Sequence, residues 1–297
     1  MSLVINHNLM AMNASRNLNA SYTRLSDSTR RLSSGLRVGT AADDAAGLAI
    51  RELMRADIST MNQGIRNAND AISMIQTADG ALQIIDEKLI RMKELAEQAA
   101  TGTYNSDQRL MIESEYQAMA SEITRIANAT DFNGIHLLNG TLSGNVHNGS
   151  GLNATGKLKV HFGTGNDSAE DYYYIQIGIS TASALGIGNN TLATHGGYTI
   201  STQSAAQQAL NAIDQAIISK DKIRASLGAL QNRLENTISN LTIQAENLQA
   251  SESRISDVDV ATEMTEFVRN QILTQAAVAM LSQANSLPQM AMQLIGG

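Results

Sequence analysis

Histidines are the residues of this chain best suited to hold a metal ion or to move a proton near neutral pH. A helical metal site needs them in closely spaced pairs, as in His-Glu-x-x-His, and no such run occurs. The chain also has no cysteine, which removes thiolate ligands and disulfides. We therefore expect surface or strand-face histidines at all five positions, which are His7, His136, His147, His161 and His195.

Two other patterns would suit cofactor binding or acid–base chemistry, and each has a simpler explanation. The triplet Gly163-Thr164-Gly165 lacks the third glycine and the following helix of a dinucleotide-binding loop. Acidic pairs at 43/44 and 257/259 lie beside predicted helix starts, where helix-end electrostatics accounts for them. We predict no catalytic, cofactor-binding or metal-binding residues and expect that the protein is not an enzyme.

The composition argues against several classes of partner. The net charge is −7 and the basic residues are scattered, which disfavours nucleic acid. No apolar run approaches the roughly 20 residues of a membrane-spanning helix, and residues 1–30 lack the apolar core of a signal peptide. We therefore expect no membrane partner, and any export to use a route without a cleaved signal peptide.

Long helices are the elements that would carry these residues. With three Phe and no Trp, burial has to come from medium-sized side chains along helix–helix seams. A light apolar stripe with helical spacing runs through residues 3–32 and contains Leu18, Tyr22, Leu25 and Leu32. A stronger heptad pattern over about 45–100 contains Met61, Ile75, Leu82 and Leu89.

The C-terminal part repeats this arrangement. Residues 202–256 have the most regular heptad, with Leu227, Leu234, Leu241 and Leu248 spaced seven apart. Residues 258–295 are amphipathic, and we expect Pro288 to kink or end their helix. The apolar positions that we assign to pairing of this last segment with the N-terminal one include Phe267, Ile272, Leu281 and Leu294.

The middle of the chain is of a different kind. Asn133-Gly134 and Asn139-Gly140 are turn signals, and the alternation over residues 158–162 and 172–179 predicts two paired strands. A shorter helix is predicted from Ser106 or Asp107, either of which is a candidate N-cap, to residue 127.

Together these patterns predict a mainly α fold. It consists of a long antiparallel coiled-coil-like helical rod with the N- and C-termini paired, plus a small β-hairpin region in the middle of the chain. We expect residues 1–40 and 258–297 to form a terminal helical domain, and 41–133 with 201–257 to form the long-helix rod. Residues 134–200 would belong to the rod, with no separate outer domain.

Several separate motifs resemble bacterial flagellin, the flagellar filament subunit, in the same order along nearly the full chain. They are Arg-Leu-Ser-Ser-Gly-Leu-Arg at 31–37, Ala-Ala-Asp-Asp-Ala-Ala-Gly-Leu-Ala-Ile at 41–50 and Asp-Phe-Asn-Gly at 131–134. Further matches occur at 68–73, 253–264 and 272–285. The resemblance implies that the paired termini form the filament core and that the long helices with the hairpin form the next layer.

The same resemblance implies partners and a location. These are other copies of the chain in a helical homopolymer, an export chaperone at the C-terminal segment, and the cap and hook-filament junction proteins. It also implies secretion through the flagellar type III apparatus to the extracellular flagellum. Because the terminal stripes bury little apolar surface, we expect 1–40 and 258–297 to fold only on assembly.

Some flagellins are recognised by the host Toll-like receptor 5. By resemblance, the recognition residues here are Arg91, Leu95 and Glu115, while Glu97 departs from the apolar residue common at its position. Three alternatives to a filament subunit are a hook-filament junction protein, which shares terminal features, a soluble coiled-coil adaptor and an enzyme. The motifs at both ends favour flagellin.

Overall fold

The computed structural model describes residues 8–148, 155–188 and 199–295. Within them the chain is mainly helical, as predicted, with two small antiparallel hairpins. The five helices are α1 (Leu9–Ser34), α2 (Ala45–Ala100), α3 (Ser106–Ala129), α4 (Gln203–Ser256) and α5 (Val260–Ile295).

The chain divides into two compact units. One comprises residues 1–58 and 246–297, and the other comprises residues 59–245. We call them the terminal unit and the central unit. Helices α2 and α4 each contribute residues to both units. The finer domain boundaries drawn from the sequence stay a prediction.

Helix starts in the chain are set by short polar side chains. The Asp44 carboxylate accepts the backbone N–H groups of Ala46 (3.1 Å) and Gly47 (2.9 Å), so it caps α2. The predicted cap of α3 at Ser106 or Asp107 is wrong, because Asn105 occupies that position. Its side chain accepts the Gln108 N–H at 2.8 Å while the Gln108 side chain accepts the Asn105 N–H at 3.1 Å, which is a reciprocal capping box.

The first hairpin joins β1 (Asp131–Phe132) to β2 (Ile135–His136). Its turn residues Asn133 and Gly134 both have positive φ, 51° and 78°. Two consecutive positive φ angles are typical of a type I′ turn, which explains the Asn-Gly pair that the sequence offered as a turn signal.

The second hairpin joins β3 (Leu158–His161) to β4 (Tyr172–Ile175), with Leu158 paired to Ile175 and His161 to Tyr172. The predicted strand 172–179 is too long. Beyond β4 the backbone turns to an earlier segment, where Ile177 donates to the Leu142 carbonyl and Ser180 donates to the Leu138 carbonyl. These bonds replace the strand ladder, so pairing with β3 stops at Ile175.

In the terminal unit, α1 ends at Ser34 and the next residue, Gly35, adopts φ 73°, a left-handed cap suited to glycine. Gly35 also accepts the Val258 N–H at 3.0 Å, which ties the end of α1 to the start of α5. Helix α5 continues past Pro288 to Ile295, so the prediction that proline ends this helix is wrong. A single proline removes one backbone donor, and the turns on either side keep theirs.

Candidate assembly and recognition surfaces

The predicted seam residues of α2 and α4 lie mostly in the core of the central unit. On α2, Ile75, Leu82 and Leu89 are buried, as are Leu227, Leu234 and Leu241 on α4. Met61 and Leu248, nearer the ends of the pattern, are half-buried. The heptad leucines therefore supply a continuous apolar core whose partners include many alanines, such as Ala68, Ala78 and Ala216.

Three ion pairs run along the flank of this seam, and we call them the ion-pair ladder. They join Asp79 to Arg224 (2.7 Å), Asp86 to Lys220 (2.5 Å) and Lys93 to Asp214 (2.6 Å). The hydrogen bonds that Arg224 donates to Asp79 raise the pKa of the Arg224 guanidinium. Sequence reasoning missed the ladder, although Asp79, Asp86 and Lys93 stand seven apart, the same spacing as the leucines.

Lys220 is the exceptional member of the ladder. Its side chain is 2% exposed, whereas the Asp86 side chain is 29% exposed. A second carboxylate, Asp221, lies 2.8 Å from the same ammonium and is 60% exposed. The protein thus buries a full positive charge against two carboxylates that remain in contact with water, an arrangement that requires both partners.

The second hairpin rests directly on α2. Gly64 lies so close to the hairpin backbone that a Cβ built there would meet the Phe162 carbonyl oxygen at 2.0 Å. Three residues later, Asn67 donates its amide to the His161 carbonyl at 2.9 Å. Glycine is required at position 64 because only a residue without a side chain permits this approach.

The terminal unit pairs α1 with α5 through a thin seam. Of the predicted core residues, Leu18, Leu25, Leu32, Phe267 and Leu281 are half-buried. Tyr22 and Ile272 are 64% and 59% exposed. The side chain of Leu294 lies outside the described residues. Asn8 ties the two helices together by donating to the Ala284 carbonyl at 2.8 Å.

Most large apolar side chains of this pair are exposed. Ser28 is the one buried residue of α1, and Asn270 and Ala284 are buried among the described residues of α5. The pair therefore presents an extensive apolar surface to solvent. Its exposed members are Leu9, Met10, Met12 and Tyr22 on α1, and Val260, Met264, Val268, Ile272, Leu273, Val278, Met280 and Met290 on α5.

The connection from α1 to α2 is held by charged side chains. The Asp43 carboxylate accepts hydrogen bonds from both terminal nitrogens of Arg30, at 2.9 and 3.0 Å. It also accepts hydrogen bonds from the backbone N–H and the hydroxyl group of Thr40. The Arg30 hydrogen bonds, followed by those from Thr40, hold the pKa of Asp43 well below its usual range. Arg31 of α1 approaches Glu263 of α5 at 3.7 Å, so an ion pair also joins these two helices.

The residues assigned by resemblance to receptor recognition lie on α2 and α3. Arg91 forms an ion pair with Glu115 at 2.8 Å and another with Glu94 at 2.9 Å, and all three side chains are between 44% and 59% exposed. Hydrogen bonding to Glu115 first, and to Glu94 second, raises the pKa of Arg91. Leu95 is 1% exposed, so its side chain packs in the core beneath this cluster.

The described residues offer little for metal or membrane binding. Among residues 8–148, 155–188 and 199–295, His, Asp and Glu form no group of three that is placed to hold a metal ion. None of the described helices combines the length and hydropathy needed to cross a lipid bilayer. Predicted positions His7 and His195 lie outside the described residues, and His136 is exposed.

Comparisons with known proteins agree with the arrangement of paired termini. Residues 5–143 match the family model described as the bacterial flagellin N-terminal helical region, and residues 210–295 match that of the C-terminal helical region. Flagellin FlaB2 of Treponema pallidum (strain Nichols) is 40% identical over 296 residues, covering 99% of this chain and 100% of that protein. Flagellin of Halalkalibacterium halodurans is 43% identical over 293 residues, again covering 99% and 100%.

Among solved structures, a putative flagellar hook-associated protein from Vibrio parahaemolyticus aligns with a TM-score of 0.55. The alignment covers 72% of this chain and 100% of that one at 16% identity. At that identity the likeness concerns the fold alone.

Proposed function

Because the chain belongs to the bacterial flagellin family, whose members are structural subunits of the flagellar filament and not enzymes, we propose that α1 and α5 drive its polymerisation. The observation that carries this proposal is the apolar surface of the terminal unit. Eight large apolar side chains of α5 and four of α1 are exposed in the isolated chain. Such a surface is unfavourable in water and becomes buried when identical subunits associate head to tail in an open helical array.

We further propose that residues 1–40 and 258–297 acquire stable structure only on assembly. The seam of α1 and α5 buries Ser28, Asn270 and Ala284, which are polar or small, and leaves the larger side chains half-buried or exposed. The apolar burial within one chain is therefore too small to offset the backbone entropy of ordering two long helices. Neighbouring subunits supply the missing contacts.

Substitution of an exposed α5 residue tests the assembly proposal. Ile272→Asp places a charge on a side chain that is 59% exposed, so it should leave unfolding of the central unit unchanged and abolish filaments in electron micrographs after seeding. Ile272→Val keeps the surface apolar and should still polymerise. Normal filaments from Ile272→Asp would exclude this surface from the subunit contact.

Limited proteolysis tests folding on assembly separately. Both terminal segments should be cleaved early in the monomer and become resistant in the filament, while residues 59–245 resist in both. Terminal segments that are equally resistant in monomer and filament would contradict the proposal, whatever the outcome for polymerisation.

The exposed stripe of α5 also bears on export. We infer that an export chaperone covers it before secretion, and that the filament cap and the hook-filament junction proteins meet the same terminal unit after secretion. The proposed location is the extracellular flagellum. Co-purification of a chaperone with the wild-type chain, and its loss on deletion of 258–297, is the expected result.

A second proposed function is recognition by Toll-like receptor 5. Arg91, Glu94 and Glu115 form an exposed charged cluster on the central unit, next to the exposed side chains of Ile90 and Met111. We propose that Arg91 and Glu115 contact the receptor directly. Leu95, being buried, contributes by fixing α2 beneath them.

Receptor activation by the monomer tests this assignment. Arg91→Ala should lower activation strongly. Arg125→Ala is the matched control, because Arg125 is also exposed and pairs with a glutamate three residues away, Glu122. Equal activation by the two variants would refute the assignment of Arg91.

A further inference from the structure

The outward side of the second hairpin carries a row of aromatic rings that the core does not use. Strand alternation sends Val160 and Ile175 inward, where both are buried. It places Lys159, His161, Tyr172 and Tyr174 on the opposite side, and His147 adds a fifth side chain from the preceding segment. We call these five residues the outer aromatic face; they are His147, Lys159, His161, Tyr172 and Tyr174.

The rings form a continuous row. Ring centroids are separated by 5.9 Å from His147 to Tyr174, by 5.4 Å from Tyr174 to Tyr172 and by 5.9 Å from Tyr172 to His161. Tyr174 is 41% exposed. The other three rings are half-buried, so the row lies at the surface of the hairpin and outside the core.

One cationic side chain, Lys159, belongs to this face. The Lys159 ammonium lies 3.6 Å from the centre of the Tyr172 ring, and two imidazoles flank the row. The carboxylate of Asp171 lies beside the face and interacts with His161. Its oxygens are already engaged by the backbone N–H groups of Gly165 and Asp167. On a protein with net charge −7, the Lys159 ammonium is the group of this face with which an anionic group of a partner can pair.

We propose that the outer aromatic face binds an acidic polysaccharide, that is, a polymer of sugars that carry carboxylates. Sugar rings present flat C–H surfaces that pack on aromatic rings, and their hydroxyls pair with tyrosine hydroxyls and imidazole nitrogens. A carboxylate on the sugar pairs with the Lys159 ammonium. An elongated row of rings suits an extended polymer better than a compact ligand, which would need a deeper pocket.

The face lies on a single chain, so the proposal does not depend on polymerisation. If subunits do form a filament, many copies would act on one polymer, and a weak single-site affinity would be multiplied by avidity.

Calorimetric titration of the purified monomer tests the proposal. The probes are polygalacturonate, the neutral polymer dextran and poly-glutamate. Polygalacturonate should bind and dextran should not. Tyr172→Ser/Tyr174→Ser should weaken binding roughly tenfold, as expected for the loss of two ring contacts, and Lys159→Gln should weaken it while leaving the rings in place. Tyr22→Ser is the matched control, because Tyr22 is an exposed tyrosine on α1.

Three results would overturn the proposal. Absence of polygalacturonate binding by the wild-type monomer would do so directly, and so would binding unchanged in both the tyrosine double variant and Lys159→Gln. Equal affinity for poly-glutamate would indicate recognition of acidic peptides instead. Thermal unfolding of each variant, compared with wild type, separates a lost contact from a lost fold, and Lys159→Gln remains informative if the double variant unfolds.

Discussion

Because the Lys220 ammonium is buried, we predict that substitutions of the two partners of its ion pair with Asp86 lower the free energy of unfolding by different amounts. In Asp86→Asn, the Lys220 side chain stays buried at 2% exposure and keeps only the carboxylate of Asp221. In Lys220→Met, the orphaned Asp86 side chain is 29% exposed and water can solvate it. Removing the Asp86 carboxylate should therefore lower the free energy of unfolding more than removing the Lys220 ammonium does.

The magnitudes follow from the behaviour of buried charges. Breaking a fully buried pair costs about 3–5 kcal/mol. Since Asp221 still contacts the ammonium, we expect about 2–3 kcal/mol for Asp86→Asn and about 1–2 kcal/mol for Lys220→Met. The double variant Asp86→Leu/Lys220→Met leaves no unpaired buried charge at this position; only Asp221, whose side chain is 60% exposed, loses its partner. It should therefore lie within about 1 kcal/mol of wild type.

Urea unfolding followed by tyrosine fluorescence measures these differences. The chain has no Trp, and all its tyrosines except Tyr22 belong to the central unit, so the signal reports on that unit. Lys93→Met is the matched control: the Lys93–Asp214 pair has side chains 47% and 49% exposed, and its loss should cost below about 1 kcal/mol. The reasoning would be refuted if Lys93→Met lowered the free energy of unfolding as much as Lys220→Met does. It would also be refuted if Asp86→Asn lowered it less than Lys220→Met does.

Three other changes have definite expected outcomes. Gly64→Ala forces its new methyl group against the Phe162 carbonyl and should destabilise the central unit by about 1–3 kcal/mol in urea unfolding. The control Gly80→Ala, whose methyl group would meet no atom within 4 Å, should stabilise the unit by up to about 1 kcal/mol. Equal effects of the two substitutions would contradict the close approach of the hairpin to Gly64. The depressed pKa of Asp43 means that its stabilising contacts are fully present above an unfolded value of about 4 and are lost progressively as pH falls from there toward the folded value. The hydrogen-exchange protection of the α1–α2 connection, corrected for the intrinsic exchange rate, should therefore decrease below that pH in wild type but not in Asp43→Asn. Asn105→Ala should cost about 1 kcal/mol through loss of the α3 cap, and no change in thermal unfolding would contradict that assignment.

Periodicity in the sequence predicts the helices well because it reports local geometry. A side chain seven residues along a helix returns to the same face, so Leu227, Leu234 and Leu241 could be assigned to one stripe without knowledge of the partner. The Asn-Gly pair at 133–134 was equally informative, because few other pairs accept two positive φ angles.

Features that depend on contacts between distant segments could not be predicted from the sequence. The burial of Lys220 depends on where α4 meets α2, and a heptad pattern does not report that register. The end of β4 at Ile175 depends on the backbone of Leu138 and Leu142, which takes over the hydrogen bonds. The position of Leu95 beneath Arg91 likewise required the packing of α2 in three dimensions.

The sign pattern of the ion-pair ladder can supply the register that the leucines leave open. Because leucines repeat every seven residues, a slip of α4 by one heptad would restore most apolar contacts. The ladder does not repeat in the same way. In one direction a slip brings Lys93 opposite Lys220, and in the other it brings Asp86 opposite Asp214. Either slip therefore creates a like-charge contact in place of an ion pair.

Exchanging the charges of the Lys93–Asp214 pair tests the effect of the ladder on the helix register without removing an ion pair from the native structure. Lys93→Glu/Asp214→Lys keeps three native ion pairs but makes the ladder of α2 uniformly acidic, so a slipped register no longer meets repulsion. Ile84→Cys and Ile218→Cys, at side chains 47% and 45% exposed, would carry spin labels specifically, since the chain has no other cysteine. We expect one distance in the labelled wild-type background and a second population, displaced by about 10 Å along the helix axis, in the exchanged variant. A single unchanged distance in both would show that apolar packing alone fixes the register.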